Sequence, residues 1–265
     1  MSSFGEKYGP WALVTGASAG IGAEFARQLA ARGLNVVLVA RRRERLEALA
    51  EELQARHRVE ARAAAMDLAR PDFLGDVQAA TAGLEIGLLV NNAGFGWSGA
   101  FLDHDLEREL EMLAVNCRAA LVLAHTFGRP MRDRRRGGII FVSSVLGYMA
   151  TPYLAHYAAT KAYDLSLGEG LWFELRPQGV DVVTLSPGTT KTEFAQVAGA
   201  PEIGGMAVEP VVAAALKNLG RRPSVVAGWR NRALTSVQSQ MPRRWRVALV
   251  GRVMRAIGRS QKTPL

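Results

Sequence analysis

An α/β domain with a doubly wound parallel sheet is the fold class this sequence predicts, and three observations carry the prediction. Short apolar segments alternate with helical patterns along the chain. Those segments are apolar throughout rather than at every second position, as expected of strands covered by helices on both faces. The chain has 265 residues, 49% hydrophobic and 22% charged, the size and mix of one large domain with a substantial core. This composition excludes disordered, collagen-like and disulfide-stapled classes. A single cysteine, Cys117, allows no internal disulfide and points to a reducing, cytoplasmic setting.

The elements follow in order. WALVTGA (11–17) ends in Gly and reads as a buried strand. A helical pattern runs from Gly22 to Arg32, with Phe25, Ala26 and Leu29 on one face and Gly33 as its stop. NVVLVA (35–40) is a second strand, followed by a charged helix over 42–57. The alternation continues with a strand over 59–65, a helix over 71–82 and a strand over 86–94. One long helix is expected from Leu106 to Arg129, then a strand over 137–144, a long helix over 154–176 and a strand over 180–188. Residues 189–206, rich in Gly, Ala, Thr and Pro, read as an irregular, mobile lid. A helix over 208–219 and a strand over 223–228 complete the body, taken as 1–230, and 231–265 form a helical extension. The amino terminus has no basic region leading into an apolar stretch, so no signal peptide is expected. No run of 18 uncharged apolar residues exists, so no membrane-spanning helix is expected either.

The formal net charge of +9 is confined to one end. From Pro210 to Leu265 there are 12 Lys or Arg and no Asp or Glu, leaving 21 basic against 24 acidic groups before it. A basic tail alone raises a nucleic-acid-binding reading. No recognition helix or groove with interleaved aromatics accompanies it, so no nucleic-acid partner is expected.

The first strand runs directly into Thr15-Gly16-Ala17-Ser18-Ala19-Gly20-Ile21-Gly22 and a helix. Glycines let the backbone turn tightly and approach a pyrophosphate, and the free N–H groups of a helix start favour its charge. Gly16, Ser18, Ala19, Gly20, Ile21 and Gly22 are therefore candidate dinucleotide contacts. At the end of the second strand an NAD site offers a carboxylate to the ribose 2′-hydroxyl, whereas this chain has Ala40-Arg41-Arg42-Arg43. A guanidinium matches a 2′-phosphate in charge and geometry, so Arg41 and Arg42 predict NADP(H). Arg43 is read as the solvated start of the following helix.

Tyr157-Ala-Ala-Thr-Lys161 lies near the start of a predicted helix, which puts Tyr157 and Lys161 one turn apart on the same face. A free phenol has a pKa of about 10 and is a poor acid–base catalyst at neutral pH. A neighbouring ammonium stabilises the phenolate and makes the proton available. Ser144, thirteen residues earlier at a strand end, is placed to hold a substrate oxygen. His57, His104 and His125 lack metal-ligand spacing and His156 points away from Tyr157, so no metal is expected. Cys117 reads as a small core residue.

Taken together these residues resemble the classical short-chain dehydrogenase/reductase family. The resemblance spans about residues 10–230 and rests on TGASAGIG (15–22), Asp67, NNAG (91–94), Asn116, Ser144, YAATK (157–161) and PGTTKT (187–192), in that order. It implies a Rossmann-type sheet of seven parallel strands and hydride transfer between a nicotinamide and a carbonyl or alcohol. It implies Tyr157 as proton donor or acceptor, Lys161 as the group that lowers its pKa and holds the nicotinamide ribose, Ser144 as the carbonyl holder and Asn116 as holder of a water linking Lys161 to solvent. Asp67 and Leu68 would meet the adenine, Asn92, Ala93 and Gly94 the adenosine side, and Pro187, Gly188, Thr190 and Thr192 the nicotinamide end. Bland alternatives stand beside these roles: a turn residue at Asp67, a surface helix residue at Asn116, a helix cap at Thr190 or Thr192. The family also implies a homo-oligomer paired through the helices over 106–129 and 154–176. Among the apolar residues of the second of these, Leu165, Leu171, Trp172 and Phe173 could equally be core.

Phe95, Trp97, Met149, Tyr153 and Phe194 follow motif positions that line the family's substrate cleft. They predict a largely apolar pocket suited to a bulky or chain-like ketone or aldehyde. A second function class, a non-catalytic NADP-binding regulator at a membrane surface, is disfavoured by the intact Ser144, Tyr157 and Lys161. The tail helix, expected over 241–258, places Leu249, Val250, Val253, Met254 and Ile257 on one face and Arg244, Arg252, Arg255 and Arg259 on the other. Such a helix either packs on the body, over the cleft or a partner subunit, or lies peripherally on an anionic membrane.

Overall fold

The computed structural model describes residues 3–199 and 204–260. Its elements are α1 (Phe4–Tyr8), β1 (Trp11–Thr15), α2 (Gly20–Ala30), β2 (Asn35–Ala40), α3 (Arg43–His57), β3 (Ala61–Ala65), α4 (Phe73–Ala80), β4 (Ile86–Asn91), α5 (Leu106–Leu113), α6 (Ala120–Asp133), β5 (Gly137–Val142), α7 (Ala155–Leu175), β6 (Val180–Ser186), α8 (Phe194–Val197), α9 (Val208–Asn218), β7 (Ser224–Val226), α10 (Trp229–Ser239) and α11 (Arg243–Ser260). The seven strands form one parallel sheet in the order β3-β2-β1-β4-β5-β6-β7. This is the expected doubly wound, Rossmann-type α/β fold.

Successive strand residues point to opposite faces, so each strand feeds two cores. Val14, Leu38, Val90, Ile140 and Val183 meet Phe25, Leu29, Leu46, Val211 and Val212 of α2, α3 and α9. Leu13, Val37, Leu89, Ile139, Phe141 and Val182 meet Phe73, Leu123, Phe127 and Met131 of α4 and α6, with Leu171 and Trp172 of α7 packed alongside. Burial on both faces explains why these segments are apolar at every position.

Several strands stop short of their apolar runs. β1 ends at Thr15, β4 at Asn91, β5 at Val142 and β6 at Ser186, where 17, 94, 144 and 188 were expected. The residues beyond leave the ladder to form the loops at the carboxyl edge of the sheet. The expected helix 106–129 is also not one regular helix. Residues 114–119 form a π-helical turn between α5 and α6, and the run extends to Asp133. By length and composition alone Leu106–Asp133 is apolar enough to cross a membrane, although its charged residues leave no uncharged run of 18. In the fold 44% of that apolar window is buried, and α6 packs on the sheet. The carboxyl-terminal extension holds two helices where one was expected, because α10 lacks a strong apolar pattern. Of the expected lid, residues 200–203 lie outside the described residues, as do 261–265 at the end of the tail.

Candidate active site

The strand order reverses between β1 and β4, and the crevice at the carboxyl ends of strands at such a switch point is the usual ligand position in these sheets. Thr15 ties the two sides together. Its Oγ1 donates to the Val90 carbonyl (3.2 Å) and accepts from the Asn92 and Ala93 N–H groups (3.0 Å each). Asn92 Nδ2 donates back to the Thr15 carbonyl at 2.8 Å. Gly16 has φ +67°, and a Cβ there would lie 2.7 Å from Asn92 Nδ2, so only glycine suits the turn. A Cβ on Gly22 would collide with the Gly16 carbonyl oxygen and the Asn92 amide. The helix that follows, α2, has Ala19 at its N-cap and no side-chain cap, leaving its first N–H groups to an anion. These features fit a dinucleotide pyrophosphate. Asp67 Oδ1 accepts from the Ala69 N–H (2.9 Å), as a turn residue does, and Leu68 is buried.

The arginines after β2 divide their tasks. Arg42 reaches over the loop and donates to Ser18 Oγ from Nε (3.1 Å) and Nη2 (3.0 Å). Arg42 and Arg45 both donate to Glu193, at 2.7 and 2.6 Å, and hold its carboxyl below the usual range, Arg45 most strongly. Arg41 turns instead to Glu111 at 3.2 Å. Arg43 pairs with Glu47 on its own helix.

Across the crevice, α7 brings Tyr157 and Lys161 to the end of β5, where Ser144 lies two residues beyond the last strand residue. All three are buried. Ser144 Oγ accepts from the Leu146 N–H at 3.1 Å. Lys161 Nζ donates to the Val142 carbonyl and to Asp164 Oδ2, each at 2.9 Å. Burial pushes the Tyr157 phenol above its ordinary pKa, while Lys161 and Ser144 pull it down without cancelling the rise. Burial alone would lower the Lys161 ammonium, but Asp164, together with Tyr157 and Cys117, outweighs it and keeps the ammonium above its ordinary value.

Asn116 sits in the π-helical turn with its amide fully used. Its Oδ1 accepts from the Phe95 N–H (3.1 Å), and its Nδ2 donates to the Phe95 carbonyl and Thr160 Oγ1 (2.9 Å each). The side chain thus pins the loop after β4 to α7. The residue that touches Lys161 is Asp164, which sequence reasoning missed. Cys117 is buried and burial pushes its thiol up to about 12, so it is inert as a nucleophile.

The cleft wall is apolar. Phe95, Met112, Leu154 and Tyr157 form a buried cluster joined by Trp97, Val115, Leu146, Phe194 and Met254. The Tyr157 and Phe194 ring centroids are 5.2 Å apart. Thr192 Oγ1 accepts from the Phe194 N–H (3.3 Å), and Thr190 Oγ1 donates to the Gly188 carbonyl (3.0 Å). Pro187 accepts from the Val145 N–H (2.9 Å). Met254 comes from α11, which lies across this end of the sheet with Gly251 against Pro152 and Arg255 Nε donating to the Tyr153 hydroxyl (3.1 Å). Tyr153 is thereby drawn to the tail helix, and Met149 is half-buried. On the far side, Glu109 of α5 is buried between His104 and His156 and bonds to both. Among the described residues no group of His, Cys, Asp and Glu has the geometry to hold a metal ion.

Residues 10–202 match the short chain dehydrogenase family model. This chain belongs to the short-chain dehydrogenase family. It is similar to a 7β-hydroxysteroid dehydrogenase of Collinsella aerofaciens, 36% identical over 236 residues, covering 86% of this chain and 89% of that one. A solved structure concerned with 7β-hydroxysteroid dehydrogenase stereoselectivity superposes with a TM-score of 0.87 at 32% identity, covering 94% of this chain and 99% of that one. A short-chain dehydrogenase from Sphingobium yanoikuyae in complex with NADPH superposes with a TM-score of 0.77 at 34% identity, covering 88% and 96%. As a short-chain dehydrogenase, the chain is an oxidoreductase that acts between hydroxyl and carbonyl groups.

Proposed function

We propose that this short-chain dehydrogenase is an NADP(H)-dependent enzyme that reduces bulky, apolar ketones or aldehydes, with Tyr157 as the proton donor. The observation that carries the reading is the burial of Tyr157, Ser144 and Lys161 together between the dinucleotide crevice and a wall of Phe95, Trp97, Phe194, Leu146 and Met254. The NADPH complex of the Sphingobium relative and the steroid chemistry in the names of the 7β-hydroxysteroid dehydrogenases support cofactor and substrate class.

The residues that would hold the cofactor are Gly16 to Gly22, with Asp67 and Leu68 toward the adenine and Asn92, Ala93 and Gly94 beside them. Pro187, Gly188, Thr190 and Thr192 would hold the nicotinamide end, with Tyr157 and Lys161 on the ribose. Arg42, seconded by Arg45 and Arg41, supplies the charge for a 2′-phosphate; Arg42 and Arg45 already converge on one carboxylate, Glu193. The nicotinamide, when bound, supplies the hydride. Ser144 holds the carbonyl oxygen, Tyr157 donates its proton to that oxygen, and Lys161 stabilises the phenolate left behind. A phenol held above its ordinary pKa is protonated at neutral pH, the state reduction needs.

Residues 1–230 form the catalytic body in this reading and 231–265 the extension, of which α11 covers the apolar wall through Met254. The contacts of Gly251, Met254 and Arg255 support the packed alternative for the tail helix. Homo-oligomer formation through α5–α7 is supported by exposed Leu106, Leu110, Leu113, Leu121 and Phe173 on those helices; a monomeric mass by light scattering would remove it. The decisive experiment follows NADPH oxidation against steroid ketones, aryl alkyl ketones, long-chain aldehydes and small polar ketones. Turnover is expected for the bulky apolar members and not for the small polar ones. Turnover confined to small charged carbonyls would overturn the reading.

A further inference from the structure

Asp164 is a buried acid beside the reacting pair that the proposed chemistry does not use. It lies one turn beyond Lys161 on α7 and is almost fully enclosed. Its Oδ2 accepts from Lys161 Nζ at 2.9 Å, and its Oδ1 is buried with no hydrogen-bond partner. Lys161 is thus the sole side-chain partner of the carboxylate among the hydrogen bonds of the described residues. The ammonium is drawn toward Val142 and Asp164 by two 2.9 Å bonds. An ammonium paired with a carboxylate at this distance presents much less net positive field to a third group than a lone one.

We propose that Asp164 is a positioning residue for the proton transfer: it anchors Lys161 and offsets its charge, so that Tyr157 keeps its proton, and reduction its full rate, to higher pH. This inference rests on the role proposed for Tyr157. The direction of the field agrees, since Asp164 opposes Lys161 in its effect on the phenol. The other titratable groups facing the pair are Cys117, from the π-helical turn, and Tyr163 on α7. Burial holds both in their neutral forms, Cys117 at about 12 and Tyr163 above its ordinary value. Neither supplies a competing charge near neutral pH.

Asp164→Asn and Asp164→Val remove the charge, one with the shape kept and one with an apolar side chain. The readout is the pH profile of kcat/KM in both directions, with the best ketone of the panel and its alcohol. Reduction needs the protonated phenol and oxidation the phenolate. Losing Asp164 therefore moves the alkaline limb of reduction and the acid limb of oxidation down together, by about one pH unit. A purely structural role lowers the melting temperature and the plateau rates without moving either limb, and unmoved limbs in a folded variant overturn the inference. Should both variants fail to fold, the unsubstituted protein decides it. Its reductive limb is expected well to the alkaline side of neutrality, and a limb near neutrality contradicts the proposal. Tyr157→Phe separates the two readings. If that variant retains activity, the proton-donor assignment fails; if it is inactive while the Asp164 limbs stay put, only the role of Asp164 fails.

Discussion

The two walls of the crevice are made of different material. The cofactor wall, at the ends of β1 and β4, is built from backbone: glycines in close contact, an uncapped helix start, and one threonine bonded to both strands. Its arginines, Arg41, Arg42 and Arg45, lie part-exposed at the rim with Glu193. The reacting wall, at the end of β5 and the start of α7, is built from buried side chains: a phenol packed among aromatic rings, with a buried ammonium and carboxylate behind it. Shape governs the first and electrostatics the second. Substitutions on the cofactor wall should therefore change affinity, and those on the reacting wall should change rate and pH dependence.

The largest expected effect on the cofactor wall comes from Gly22→Ala. The added Cβ meets the Gly16 carbonyl and the Asn92 amide, backbone and clamp rather than a flexible chain end. An overpacking penalty of about 1–3 kcal/mol falling on the bound state corresponds to NADPH binding about fivefold to 150-fold weaker. Fluorescence titration measures it, and binding within about twofold of the unsubstituted protein would break the claim that this wall works by contact. A smaller effect is expected at the rim. Arg42→Ala removes a charged donor that is part-exposed, so NADPH should bind about tenfold more weakly and NADH almost unchanged. Equal losses for the two cofactors would mean that Arg42 only braces the loop through Ser18.

The same contrast explains what was legible in the sequence. The loop 15–22 and the pair Tyr157 and Lys161 could be read because their partners are near in the chain or one helical turn apart. The parallel sheet could be read because two-sided burial leaves no alternation. Asp164 was missed because a carboxylate three residues from a lysine ordinarily marks a solvated helix face; only the packing of α7 on the sheet turns that pair inward. The meeting of His104 and His156 on Glu109 joins residues 47 apart across two helices, a distance no spacing rule covers. The breadth of the tail helix's apolar face was visible, but not its division. The body takes Gly251 and half-buried Val250 and Met254, while Leu249 and Val253 stay exposed. Strand ends were overestimated because the small and polar residues that leave the ladder, such as Asn92-Ala93-Gly94 and Ser143-Ser144, follow the apolar runs directly and were read as part of them.

The central claim is that one wall binds and the other reacts, with Tyr157 as the proton donor. Tyr157→Phe tests it most directly, through NADPH titration and ketone turnover on the same preparation. The account predicts an NADPH dissociation constant within about twofold of the unsubstituted protein and turnover lower by about 100-fold or more. Turnover at the unsubstituted rate, or loss of NADPH binding together with activity, would contradict it.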